Sequence, residues 1–386
     1  MTEVVIAGIG QTEVGEHWNI GLRELALVAI QDAIKDSGGL KPQSLFVGNM
    51  LAPSLSNQAH LGVLLVDYAG LLGIEAATIE AAGASGGAAL RQGYLAVASG
   101  MVDVALVVGV EKFTDKIGSD VDAALATTSD SDFEAIHGTT PAAQAALLMK
   151  RYMHEYNVPK DGFAGFAVTA HANGVANKAA MFRKAIKPET YAKAEMVSDP
   201  LNMFDMAPNA DGAAALVLTR RDLLPLNFHR PLIKVSGSAS SADTLALHDR
   251  KDMLYFDTAQ ISAGKAMKQA GLTLNDINLF EYHDAFSIYA ALQLEAVGFA
   301  VKGQGWKLAA DGEIGLKGRI PCATMGGMKA RGFPGGAAGV YQAVDAVTQL
   351  RGNAEANQIP NAKTALIQSL GGPASTAVSH ILQKLD

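Results

Sequence analysis

The chain has 386 residues, 49% of them hydrophobic and 18% charged, with positive mean hydropathy, which is enough to bury a large core and to form more than one domain. A formal net charge of -7 with no long basic run argues against a nucleic-acid surface. The single cysteine, Cys322, excludes an internal disulfide framework and any multi-cysteine metal centre.

In chain order, MTEVVIAGIG lacks a basic segment followed by an apolar run and a cleavage site, and no apolar stretch reaches ~18 residues. A cytoplasmic protein without a membrane span is expected. VVIAGIG at 4–10 predicts a buried strand, 21–39 a helix ending at Gly, and SLFVGNML a second strand. AATIEAA leads into GASGGAAL at 83–90, which opens a helix, and VDVALVVGVE at 102–111 predicts another buried strand. Such alternation implies an α/β architecture. Residues 113–200 differ. A polar, loop-like stretch, FTDKIGSDVDAALATTSDSDFEAIHGTTP, precedes amphipathic helices in AAQAALLMKRYMHEYNV and FAVTAHANGVANKAAMFRKAI, and an insertion of this length is expected to cover a site.

The scheme then repeats. PLIKVSGSAS at 231–240 answers the first strand, GFPGGAAGVYQAVDAV from Gly332 lines up with GASGGAALRQGYLAVA from Gly83, and TALIQSLGG answers VALVVGVE. Two similar halves, 1–225 and 226–386, are expected to pack with a pseudo-twofold relation, their Gly-rich helix N-termini facing one cleft. A helix N-terminus preceded by glycine offers unpaired N–H groups to an anion or developing oxyanion. The glycines also have a purely structural reading, as close-packing residues. AGIGQTEVG at 7–15 does not fit a dinucleotide fingerprint, because its third glycine is misplaced.

EYHDAF at 281–286 ends a strand, where alternation sends Tyr282 and Asp284 to one side and Glu281 and His283 to the other. His283 at a strand's C-terminal edge is a candidate acid/base or hydrogen-bond donor to a carbonyl oxygen. The nine histidines are scattered without metal-ligand spacing, so no metal is expected.

With these motifs in order, GVEKFTD, APNADGAAALVL, EYHDAF, GGMKARGFPGGAAG and SLGGPASTAVSHIL, the chain resembles the thiolase family over essentially its full length, and most of all its sterol-carrier-protein-type and archaeal branch. The resemblance implies an α/β thiolase-like fold of two βαβαβαββ halves plus an inserted loop domain. It also implies acyl-CoA as substrate, with coenzyme A as part of that substrate and no tightly bound cofactor. The chemistry is that of the carbon–carbon bond next to the thioester. It further implies a homodimer or dimer of dimers through the sheet of the first half, and a small OB-fold/zinc-ribbon partner. The family's nucleophilic cysteine falls on Gly83, the GHP histidine on Phe333, and the HDAF histidine, which holds a thioester oxygen, on His283. The second, acid/base cysteine falls on Ala285 or Ser369, and the expected asparagine on Ala323 beside Cys322.

Glycine cannot attack an acyl carbon, so the covalent route is closed at that position. One reading is a non-covalent, retro-aldol-like enzyme using His283, with Tyr282, Tyr341 and His137 as candidate helpers. A second is a non-catalytic acyl-CoA-binding subunit, its pocket filled by Phe333. A third is an acyltransferase with an atypical nucleophile, for which Ser85 and Ser369 are candidates. Gly83, Phe333, Gly371, Gly372 and His137 are expected to border the substrate. Arg183 and Lys184 with Lys187, Lys329 with Arg331, or Lys150 and Arg151, are candidates for the CoA phosphates.

Overall fold

The run VVIAGIGQ forms strand β1 (Val4–Gln11) in a computed structural model that describes residues 3–226 and 228–385. The other strands are β2 (Ser44–Gly48), β3 (Glu75–Ile79), β4 (Val104–Glu111), β5 (Met196–Ser198), β6 (Leu201–Asn202), β7 (Gly212–Arg220), β8 (Ile233–Ala242), β9 (Leu279–Glu281), β10 (Thr364–Gly371) and β11 (Thr376–Lys384). All but β5 and β6 join one nine-stranded sheet, ordered β3-β2-β4-β7-β1-β8-β11-β10-β9. The seam is narrow: β1 and β8 pair antiparallel through Val5 with Lys234 and Ile6 with Ile233. On either side the order mirrors itself, β1-β7-β4-β2 against β8-β11-β10-β9, so each half contributes its first strand to the seam and its last strand next to it. The second half departs from βαβαβαββ at its third strand. Cys322 makes only an isolated parallel bridge to Phe280, because Pro321 has no N–H with which to extend a ladder.

Helix Leu22–Asp36 covers the outer face of β1 and β7, and helix Asp257–Ala270 covers β8 and β11. Helices Ser85–Ala98 and Ala338–Arg351 lie between the halves and touch strands of both. The paired Gly motifs are where these two helices cross. A Cβ on Gly339 would stand 2.3 Å from the Gly87 nitrogen, and one on Gly86 2.8 Å from the Gly336 oxygen. Backbone therefore meets backbone, which side chains would forbid.

The insertion contains more helix than its polarity suggests. The expected loop at 113–141 includes helix Ser119–Ala126, whose Ala-rich second half overrides the polar start. The reverse holds further on, where the predicted helix through 166–186 stops at Gly174. There Asn177 turns the chain, its Nδ2 donating to the Met325 carbonyl at 2.8 Å. Helix Pro141–Tyr156 is capped by Thr140, and β5 and β6 pair as a separate ribbon. Among the described residues no helix is long and apolar enough to cross a membrane.

Candidate functional site

Where the two glycine motifs meet β10, the chain encloses a cavity of about 50 Å³. Gly83, His283, Phe333 and Gly372 border it, together with Leu125, Thr128, Pro141 and Gln144 of the insertion. By the measure in which one water needs ~10–15 Å³, it holds a few waters or a two-carbon acyl group, far less than the ~300–1,000 Å³ of ordinary ligand pockets.

Strand β9 ends at Glu281, so strand alternation does not govern the residues after it. Gln293, on helix Ser287–Val297, grips the backbone of His283 instead. The His283 N–H donates to Gln293 Oε1 at 3.0 Å and Gln293 Nε2 donates to the His283 carbonyl at 2.7 Å. The ring is thereby held at the cavity wall, edge-on to Phe333 at 5.6 Å between centroids. His283 Nδ1 is buried without a partner, and burial pushes the imidazole pKa down to about 3. The ring is neutral at physiological pH. It suits hydrogen-bond donation to a carbonyl oxygen and does not supply a proton as an imidazolium.

Gly83 lies in the turn Ala82–Ala84 that opens helix Ser85–Ala98. A Cβ there would stand 2.7 Å from the Leu370 carbonyl oxygen, 2.9 Å from His283 Cε1 and 3.3 Å from His283 Nε2. The site has lost the side chain and also the space for it. Gly371 lets β10 approach the same turn, since its Cβ would sit 2.6 Å from the Ala81 oxygen. Phe333 is fixed by its backbone, its N–H donating to the Pro208 carbonyl at 2.8 Å and its carbonyl accepting from Ala210 N–H at 3.1 Å. The second Gly loop is tied to the first half by Glu111. This buried carboxylate accepts from Gly336 N–H at 2.9 Å, Met50 N–H at 2.9 Å, Leu51 N–H at 3.1 Å and Asn49 Nδ2 at 2.8 Å. Burial raises its pKa to about 7 against those bonds.

Other residues expected here lie elsewhere. Ser85 Oγ donates to the Ala82 carbonyl at 2.6 Å and accepts from Ala81 N–H at 2.9 Å, closing the turn. Ser369 Oγ donates to Gln342 Oε1 at 2.8 Å behind the helices. Neither hydroxyl borders the cavity, and neither has a base. Tyr282 packs edge-on against Phe166 and Phe280 in the core. Tyr341 donates to the Ala213 carbonyl at 2.9 Å. Cys322 is buried, and burial raises its thiol pKa well above the usual range. His137 is exposed on a 3₁₀ turn, away from the cavity. Sequence reasoning missed Tyr289 and Gln144, which do border it. Tyr289 lies in a helix buried on every side, so no periodicity separates it from core.

A second cavity, of about 330 Å³, lies across the segment Met206–Pro208, lined by His171, Phe182, Met203, Phe204 and Lys329. Lys329 does not point to solvent as a phosphate ligand would. Its Nζ donates to the Asp205 carbonyl at 2.7 Å and the Phe204 carbonyl at 3.2 Å, and burial lowers its pKa to about 8. Arg331 is also buried, ion-paired with Asp345. Arg183, Lys184 and Lys187 are exposed, and they follow Phe182 of this cavity's lining in the chain; the Lys184 carbonyl lies 3.3 Å from His171 Nδ1. Lys150 and Arg151 pair with Asp199 and Glu155 at the surface.

Comparison with known proteins matches residues 4–222 to the family model "Thiolase, N-terminal domain" and residues 239–384 to "Thiolase C-terminal domain-like". An acetyl-CoA acetyltransferase of Methanothermobacter thermautotrophicus is 40% identical over 386 residues, covering 100% of both chains. A 17-hydroxy-3-oxo-4-pregnene-20-carboxyl-CoA lyase of Mycobacterium tuberculosis is 29% identical over 367 residues, covering 91% of this chain and 92% of the relative. Among solved structures, an Ltp2-ChsH2(DUF35) aldolase superposes with a TM-score of 0.84 at 24% identity, covering 99% of this chain and 98% of that one.

Proposed function

The chain belongs to the thiolase family, and we propose that it binds a short acyl-CoA thioester in the Gly83–His283 cavity and acts on the adjacent carbon–carbon bond without forming an acyl-enzyme. The observation that carries this reading is the pairing of a retained donor with a closed nucleophile position. His283 is buried, neutral and unpartnered, while a Cβ on Gly83 has nowhere to go. Such a site can hold a thioester oxygen and stabilise the enolate that a retro-aldol cleavage releases, a contribution of order 10²–10³ in rate. Among the described residues no carboxylate borders the cavity. The β-hydroxyl proton therefore leaves to water or to a group brought by a partner. The lyase named for a carboxyl-CoA substrate supports this chemistry, and the acetyltransferase supports a two-carbon acyl group. We place the pantetheine arm in the 330 Å³ cavity and the CoA phosphates at Arg183, Lys184 and Lys187. A small OB-fold/zinc-ribbon partner and a dimer through the first half's sheet belong to the same proposal.

A second reading has its own support. The missing base and the half-buried Phe333 suit a non-catalytic acyl-CoA-binding subunit. Assay of the purified chain, alone and with such a partner, separates the two. Cleavage of a β-hydroxyacyl-CoA is expected. It should be insensitive to iodoacetamide and fall about 10²–10³-fold in His283→Ala. Turnover of neither β-hydroxyacyl-CoA nor β-ketoacyl-CoA with retained acyl-CoA binding leaves the subunit reading. A trapped acyl-enzyme sinks both.

A further inference from the structure

Tyr289 stands one helical turn beyond Phe286, is 2% exposed, and borders the same cavity as Gly83 and His283. Its ring is held edge-on by Phe286 at 5.0 Å and by Phe256 at 5.8 Å between centroids. Among the described residues nothing bonds its hydroxyl. Two other buried tyrosines are satisfied, Tyr191 donating to Asp205 at 2.9 Å and Tyr341 to the Ala213 carbonyl; among the described residues the hydroxyl of Tyr282 also goes unbonded, but Tyr282 does not border the cavity. Beside the same space His283 Nδ1 is buried without a partner, and a polar atom held dry in that way costs about 1–3 kcal/mol. Two unmet donors around one cavity of two-carbon size describe a receptor for a single acceptor atom.

We propose that Tyr289 contacts substrate, its hydroxyl donating to the thioester carbonyl oxygen alongside the His283 ring. This rests on the acyl-CoA reading above. Burial, reinforced by the charge of Glu134 and opposed by Arg250, raises the phenol pKa, so it stays a donor. Two neutral donors can stabilise a developing enolate oxygen without themselves ionising.

The test is calorimetric titration of the full chain with acetyl-CoA and with S-ethyl-CoA, which matches it in size but lacks the carbonyl oxygen. Wild type is expected to prefer acetyl-CoA. In Tyr289→Phe that preference should shrink about three- to tenfold, the range of one neutral hydrogen bond, while S-ethyl-CoA affinity and the thermal midpoint hold. An undiminished preference in Tyr289→Phe overturns the proposal, as does an equal loss for both ligands, which would mark a packing role. A wild-type chain that binds the two equally also overturns it, leaving the acyl-CoA reading intact. A wild-type chain that binds neither overturns the acyl-CoA reading and this proposal with it.

Discussion

At Gly83 the distinction between a deleted nucleophile and a remodelled site is a matter of tenths of an ångström. Gly83→Cys must push against the Leu370 carbonyl at 2.7 Å and the His283 ring at 2.9 Å. The ring can give, but the strand backbone of β10 cannot do so cheaply. We expect the variant to lose about 1–3 kcal/mol of unfolding free energy in urea. It should also show no thiolytic burst, because Phe333 offers no base for the new thiol. Wild-type stability together with a burst would mean that the nucleophile position is open after all. The sequence makes Gly83, His283, Phe333 and Gly372 visible, since each stands inside a motif with neighbours that fix its place. It does not reveal Tyr289 or Gln144, which are brought to the wall by an all-buried helix and by the insertion. Nor does it show that Ser85, Ser369 and Tyr282 spend their polar atoms or rings on packing. Polar residue type alone carries no direction.

Among the elements, the central helix pair explains why the glycine motif occurs twice. Residues 83–87 and 335–339 are two sides of one crossing, and the clearance at Gly339 excludes any side chain. Gly339→Ala is therefore expected to cost about 3 kcal/mol or more, because its nearest contact, the Gly87 nitrogen at 2.3 Å, belongs to backbone and the next, Ser369 Oγ at 2.7 Å, to a buried side chain. Gly264 lies within the outer helix Asp257–Ala270 with nothing within 4 Å of a Cβ. Gly264→Ala should stabilise by about 0.5–1 kcal/mol. Urea unfolding of both variants tests the assignment, and like-signed effects would refute it. Strand and helix order was legible from periodicity because buried strands and amphipathic helices leave strong patterns. The insertion was less so. Helix Ser119–Ala126 rests on a short alanine-rich run that its polar start masks, and the stop at Gly174 goes with a contact to a distant segment, Asn177 to Met325, that no local window contains.

Over the whole molecule, the two halves are joined by buried polar groups. Arg351 reaches Asp36 at 2.6 Å and the Ala7 carbonyl at 3.1 Å, and His380 Nε2 meets the Gly87 carbonyl at 3.0 Å. His380 and other buried groups, His283 and Glu111 among them, ionise outside their usual ranges, so stability should depend on pH. Burial lowers the folded-state pKa of His283 to about 3 and of His380 to about 4, from 6.5. Below pH 6.5 the unfolded chain takes up protons that the folded chain refuses, so both histidines make stability fall as pH falls. Glu111 acts oppositely. It keeps its proton in the folded state up to about pH 7, so its contribution falls as pH rises from about 4.5. Burial raises Glu281 and Asp345 as well, giving the same sign. Because these slopes overlap, the informative quantity is a difference between variants. His283→Gln removes one proton from the balance, so between pH 5.5 and 4 its stability should depend on pH less positively than wild type by about 1.4 kcal/mol per pH unit. Urea titrations across that window read the slope directly. Parallel curves would mean that the His283 ring takes up a proton in the folded state, and so meets water or an acid at the site where the neutral donor is required.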